Sequence, residues 1–150
     1  MLLLLILADD FTGALDTGVQ FAACGIATRV VVGEQVDLAA NDAAVLVVDT
    51  ETRHLPAAEA YAVIAKLTRD AMSAGVFSIY KKTDSALRGN IGAELSALLK
   101  TSGERQLPFL PAFPQIDRVT RDGVHYHQRR AADRDAPSAS TPSSRCATPG

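Results

Sequence analysis

The chain has 150 residues, with 15 Lys and Arg against 17 Asp and Glu, for a formal net charge of −2. Apolar residues make up 47% and charged residues 21%, ordinary globular values that exclude a wholly disordered chain. The balanced charge gives no electrostatic footprint for nucleic acid or for an anionic membrane. Two cysteines, Cys24 and Cys146, are too few for a disulfide framework or a zinc site of their own.

Residues 1–7 form an apolar run without the basic start or small-residue cleavage site of a signal peptide, and two aspartates follow at once. The run is far shorter than the roughly 20 residues of a membrane helix. It reads as a buried strand over residues 2–8, and the compartment reads as the cytoplasm. Residues 12–24 read as a helix stopped by Gly25, with Cys24 packed at its end. Thr28–Val32 and Val45–Asp49 read as strands. Residues 56–74 carry the clearest helical pattern: Pro56 in the first turn, Tyr61, Ile64, Leu67 and Ala71 on one face, and Gly75 past the end. A strand over 76–80, a helix over 91–99 and a fifth strand over 107–112 follow. Continuous apolar strands separated by helices predict an α/β fold of three layers, a mostly parallel sheet with helices on both faces.

The polar residues gather where these strands end. The first strand runs into Asp9-Asp10-Phe11-Thr12-Gly13, the third into Asp49-Thr50-Glu51-Thr52-Arg53, and the fourth into Lys81-Lys82-Thr83-Asp84-Ser85 with Arg88-Gly89-Asn90 beyond. The fifth runs into Pro111-Ala112-Phe113-Pro114, with Arg118 and Thr120 after it. Singly, each cluster reads as a cap or turn: Asp10 or Thr12 for the first helix, Asp84 or Ser85 for the third, Arg53 as a solvated loop charge. Together on one rim of an open α/β sheet they read as a site for a small polar anion, because such sheets bind ligands beyond the carboxyl ends of their strands. Helix N-termini favour a carboxylate or phosphate. Arg88 can grip a carboxylate with two parallel hydrogen bonds, and Lys82 supports it as a point charge. Asp9 and Asp10 accept hydroxyl donors, and Asp10 is the candidate general base, with Asp9 beside it.

These same segments, together with Asp122-Gly123-Val124-His125-Tyr126, resemble the four-carbon acid sugar kinase family, which includes 3-oxo-tetronate, erythronate and threonate kinases. The resemblance runs from residue 1 to 126 and implies the sugar-acid-binding first domain of a two-domain enzyme. It points to Asp9, Asp10, Thr12, Arg53, Lys82, Thr83, Asp84, Ser85, Arg88, Gly89 and Asn90 as the substrate site. It also implies ATP and Mg2+ in the full-length family, bound by a glycine-rich second domain that this chain lacks. Neither is expected on these 150 residues alone. Ala86 departs from the usual threonine, and Asp117 from the usual glycine before arginine.

Competing motifs fail. There is no P-loop and no Gly-x-Gly-x-x-Gly turn. A phosphatase of the Asp-x-Asp-x-Thr kind needs a second aspartate where Phe11 stands. His125 and His127 share one face of a strand but lack a third ligand, so no metal site is expected. From residue 128 the texture changes to four arginines, two aspartates and many Ala, Pro, Ser and Thr residues, a composition expected to be disordered. Reading the codons from His127 one base later admits Thr-Ser-Gly-Val-Pro-Leu-Thr-Glu-Thr, which is similar to the family's continuation, so a frameshifted ending is expected. The chain then reads as residues 1–127 binding a sugar acid and 128–150 as a functionless tail. The alternative is a free-standing sugar-acid-binding module, or a remnant without chemistry.

Overall fold

The computed structural model describes residues 1–127, so the expected disordered tail lies outside the described residues. The chain divides into two compact units, Met1–Pro111 and the segment from Ala112 onward.

In the first unit the order is β1 (Leu4–Ala8), α1 (Phe11–Ala23), β2 (Thr28–Val32), β3 (Val45–Asp49), a 3-10 turn (Thr52–His54), α2 (Ala57–Ser73), β4 (Ser78–Lys82) and α3 (Ile91–Ser102). The four strands lie in the order β2-β3-β1-β4, and every pairing is parallel. Successive side chains of a strand point to opposite faces, and both faces are covered. Leu5, Leu7, Leu46 and Val48 meet Ile64, Leu67 and Ala71 of α2 and Ala97 and Leu98 of α3. Ile6, Ala8, Val45 and Val47 meet Ala14 and Phe21 of α1 on the other side. The result is the three-layer arrangement expected from the sequence. Gly18 brings α1 close to the sheet, since a Cβ there would stand 3.0 Å from Val30 Cγ2.

The register places Ala8 level with Asp49 on one side and Lys82 on the other. The polar segments after β1, β3 and β4 therefore leave the sheet at one height. β4 begins two residues later than the pattern suggested, because Phe77 is 88% exposed and stays outside the sheet. α3 continues to Ser102 and stops at Gly103 in a left-handed conformation. Cys24, read as packing, is instead the exposed C-cap of α1.

The strand expected over 107–112 does not form. Pro108 and Pro111 have no N–H to give a ladder, and Leu110 is 88% exposed. The second unit instead holds an antiparallel hairpin, β5 (Arg118–Arg121) and β6 (Val124–His127). Asp122 and Gly123 both take positive φ at its two-residue turn, the geometry that matches strand twist. His125 and His127 do share a face, with ring centroids 5.2 Å apart. His125 Nδ1 lies 3.0 Å from Thr120 Oγ1.

Candidate functional site

Asp9 and Asp10 leave β1 where its hydrophobic run ends, and they diverge in role. Asp10 adopts extended backbone and caps α1, its Oδ1 accepting from the Gly13 N–H at 2.9 Å. Asp9 is fully buried. Arg53, carried on the 3-10 turn after β3, joins the two: Nε donates to Asp9 Oδ2 at 2.8 Å and Nη1 to Asp10 Oδ2 at 2.5 Å. Its side chain is only 11% exposed, so Arg53 is no solvated loop charge. Burial works to lower the Arg53 pKa, but its hydrogen bond to Asp9 and the charges of Asp9, Asp10 and Asp84 raise it. Asp9 Oδ1 is buried and has no hydrogen-bond partner among the described residues.

The segment after β4 closes on this pair. Lys82 Nζ donates to its neighbour Thr83 O at 2.8 Å and lies over the first turn of α1, 3.4 Å from where a Gly13 Cβ would be. Asp84, buried, organises the turn that follows. It accepts from the Ala86 and Arg88 N–H groups, and from Arg88 Nε in a short ion pair. Burial opposes its charge, yet the Arg88 and Ala86 hydrogen bonds and the charges of Arg88 and Arg53 hold its pKa down at about 2. Leu87 takes a left-handed φ within the turn. Gly89, with φ +87°, must be glycine for a second reason: a Cβ there would meet Arg53 Cγ at 3.2 Å and Arg53 Cα at 3.4 Å. Asn90, not Asp84 or Ser85, begins α3, and its Nδ2 donates to Thr52 O and Leu55 O at 2.9 and 2.7 Å.

Beneath the rim lies a buried layer whose centre the sequence reading missed. Lys81 Nζ contacts Glu94 Oε2 at 3.1 Å, with both side chains 1% exposed. The same ammonium donates to Leu7 O and Lys82 O at 3.3 and 3.2 Å. Glu94 Oε1 accepts from Thr52 in a short hydrogen bond. Thr52 Oγ1 lies 2.8 Å from Thr50 Oγ1, and Thr50 donates to Ala8 O at 2.7 Å. Burial lowers the Lys81 pKa against the opposing pull of Glu94 and Asp9. Asp49, held by the Glu51 N–H at 3.0 Å, is raised by burial, with the charges of Glu51, Asp10 and Asp9 adding to it. Glu94 carried a signal: it occupies the apolar stripe of α3 between Ile91 and Leu98, where a carboxylate requires a buried partner.

Arg53 thus bonds Asp9 and Asp10, Arg88 bonds Asp84, and Asn90 bonds the turn that carries Arg53, while Gly89 lies close against Arg53 and Lys82 stands over the first turn of α1. Thr83 and Ser85 are partly buried on the same segment. Thr12 is exposed on the first turn of α1. The cluster expected after a fifth strand follows no strand of the sheet, since its residues from Ala112 belong to the second unit. Among the described residues no three His, Cys, Asp or Glu side chains are placed to hold a metal ion. No helix among them is long and apolar enough to cross a membrane.

Comparison with known proteins places this geometry in a family. The chain is 45% identical over 126 residues to the D-threonate kinase of Bordetella bronchiseptica, covering 81% of the chain and 31% of that protein. It is 36% identical over 123 residues to the D-erythronate kinase of Heliobacterium modesticaldum, covering 79% and 28%. For the 3-oxo-tetronate kinase of Brucella melitensis the identity is 32% over 122 residues, covering 79% and 28%. The chain thus spans under a third of the length of these relatives. A solved Bordetella bronchiseptica structure, a domain-swapped dimer with bound citrate, superposes with a TM-score of 0.77 at 39% identity, covering 88% of this chain and 35% of that one. The family model for the sugar-binding N-terminal domain matches residues 4–148. With the parallel sheet agreeing with the superposition and the family model matching nearly the whole chain, the chain belongs to the sugar-binding N-terminal domain family of the tetronate-type kinases.

Proposed function

We propose that this chain is the substrate-binding half of an ATP-dependent kinase that phosphorylates a four-carbon sugar acid, a cytoplasmic enzyme part with no activity by itself. The observation that carries the reading is the open oxygen of Asp9, buried at the strand ends beside Asp10 and Arg53. A buried carboxylate oxygen without a donor is costly, and a sugar hydroxyl supplies one. Asp10, expected as the base, has both oxygens engaged, by Gly13 and Arg53. That favours Asp9 as the acceptor of the hydroxyl proton, with Asp10 and Arg53 fixing its position. At the other end of the ligand, Asp84 holds Arg88 by Nε, which leaves the outer guanidinium nitrogens to a carboxylate. Lys82 adds charge between the two.

We assign ATP and Mg2+ to the complete enzyme and not to these residues. The rim sets Arg53, Lys82 and Arg88 against Asp9, Asp10, Asp49 and Asp84, its two arginines already paired with aspartates, and no P-loop is present. Phosphoryl transfer rests on charge neutralisation, and the cations of this rim are committed to its aspartates and to the sugar acid. Titration calorimetry and a phosphate-transfer assay test the reading together. The 150-residue chain is expected to bind D-threonate, D-erythronate or a 3-oxo-tetronate and to transfer no phosphate from ATP. Failure to bind any of the three overturns the sugar-acid reading. Turnover that Asp9→Asn abolishes overturns the assignment of catalysis to a further domain.

A further inference from the structure

The relay beneath the rim touches every element that supplies a rim residue. Leu7 and Ala8 give it carbonyl oxygens from β1, Thr50 and Thr52 follow β3, Lys81 and the Lys82 carbonyl belong to β4, and Glu94 stands on α3. Thr52 directly precedes Arg53, and Lys81 directly precedes Lys82. An ammonium has three protons to donate, and Lys81 has three acceptors: Glu94 Oε2, Leu7 O and Lys82 O. Glu94 in turn uses both oxygens, one on Lys81 and one on Thr52. A fully satisfied buried polar network holds its members in one arrangement, whereas a half-satisfied one is costly.

We propose that Lys81 and Glu94, acting through Thr52, are positioning residues of the rim, a buried relay that fixes the Asp9–Arg53 pair against the strand ends. This rests on the sugar-acid reading only for its consequence in binding; the placement of Arg53 is independent of any ligand. Site side chains need such support, because a displacement of a fraction of an ångström undoes a constellation. Neither residue touches the ligand in this arrangement; both act through Thr52 and the strand ends.

Thr52→Val in the full chain removes the central hydroxyl while keeping shape and burial. Thr68→Val is the matched control: Thr68 is equally buried but bonds only along α2, to Ile64 O at 2.7 Å. The readouts are the Arg53 Nε–H resonance with its solvent-exchange rate, and affinity for D-threonate by calorimetry. Thr52→Val should displace the resonance, speed its exchange at least tenfold and weaken binding at least tenfold. Thr52→Ser should restore both, and Thr68→Val should change neither. If Thr52→Val does not fold, Glu94→Gln carries the same test, since it keeps size and strips Lys81 of its counter-charge. A folded Thr52→Val or Glu94→Gln protein with an unchanged Arg53 resonance overturns the proposal, as does an equal displacement in Thr68→Val. If the wild type binds no four-carbon acid, the sugar-acid reading fails while the Arg53 resonance still decides the relay.

Discussion

Arg53→Met removes the guanidinium that joins Asp9 to Asp10 and leaves the methylene packing near Gly89 in place. The Asp9 side chain is 2% exposed and its Oδ1 already lacks a partner, so the variant leaves a whole carboxylate buried and unpaired. Breaking a buried pair from one side costs about 3–5 kcal/mol. The Asp10 contact adds little, roughly 0.5–1 kcal/mol, because Asp10 is partly solvated and keeps its Gly13 bond. Arg53 itself retains some exposure, which argues for the lower part of the range, about 3–4 kcal/mol. A domain stable by roughly 5–15 kcal/mol survives that loss in weakened form. Urea unfolding at neutral pH, followed by far-UV circular dichroism, measures it. Combining Arg53→Met with Asp9→Asn should return about 2 kcal/mol, since the stranded charge becomes a neutral amide. A cost under about 1 kcal/mol, or strict additivity of the two substitutions, would show that the pair is solvated and refute the reasoning.

Asp84 is held at about pKa 2 from an ordinary 3.8, so it contributes stability above about pH 4 that is lost as pH falls toward 2. The full shift corresponds to about 2 kcal/mol, reduced by the exposure of Arg88 to about 1, and Asp84→Asn should flatten that limb of an acid-unfolding profile. Gly89→Ala should destabilise by about 1–2 kcal/mol in thermal melts, from positive φ and contact with Arg53, and should weaken sugar-acid binding as well. Arg88→Ala should weaken D-threonate binding by about ten- to a hundredfold in calorimetry, and Arg88→Lys by less but measurably; equal affinities would remove Arg88 from the site.

Most of the layering was legible because it depends on period. β2 and β3 fall where their β-branched runs begin and end, and α2 follows Pro56 and precedes Gly75. The β4 boundary slipped because Val76 and Phe77 look like strand while the chain enters the sheet only at Ser78. The segment 107–112 misled for a similar reason: its apolar content suits a strand, but proline removes the donors a ladder needs. At the site, Asp9, Asp10, Arg53 and Arg88 were visible as charged residues after strands. Which aspartate caps α1 and which stays open was not, because that turns on backbone angles at one residue. Lys81 looked like one more rim charge. Its burial depends on Glu94, which only the packing of α3 brings within reach.

The bonds that build the rim join distant stretches of chain. Arg53 reaches back 43 and 44 positions to Asp10 and Asp9, Thr52 bonds Glu94 across 42, and Lys81 bonds Leu7 across 74. Closing such loops costs entropy before any contact repays it, and β1 pairs with β3 and β4 across the same separations, so the rim forms with the sheet and not before it. A ligand that grips Asp9 and Arg53 needs the assembled sheet: at a hundred times its dissociation constant it adds about 2.7 kcal/mol. That gain should appear as slower unfolding, with the folding rate almost untouched.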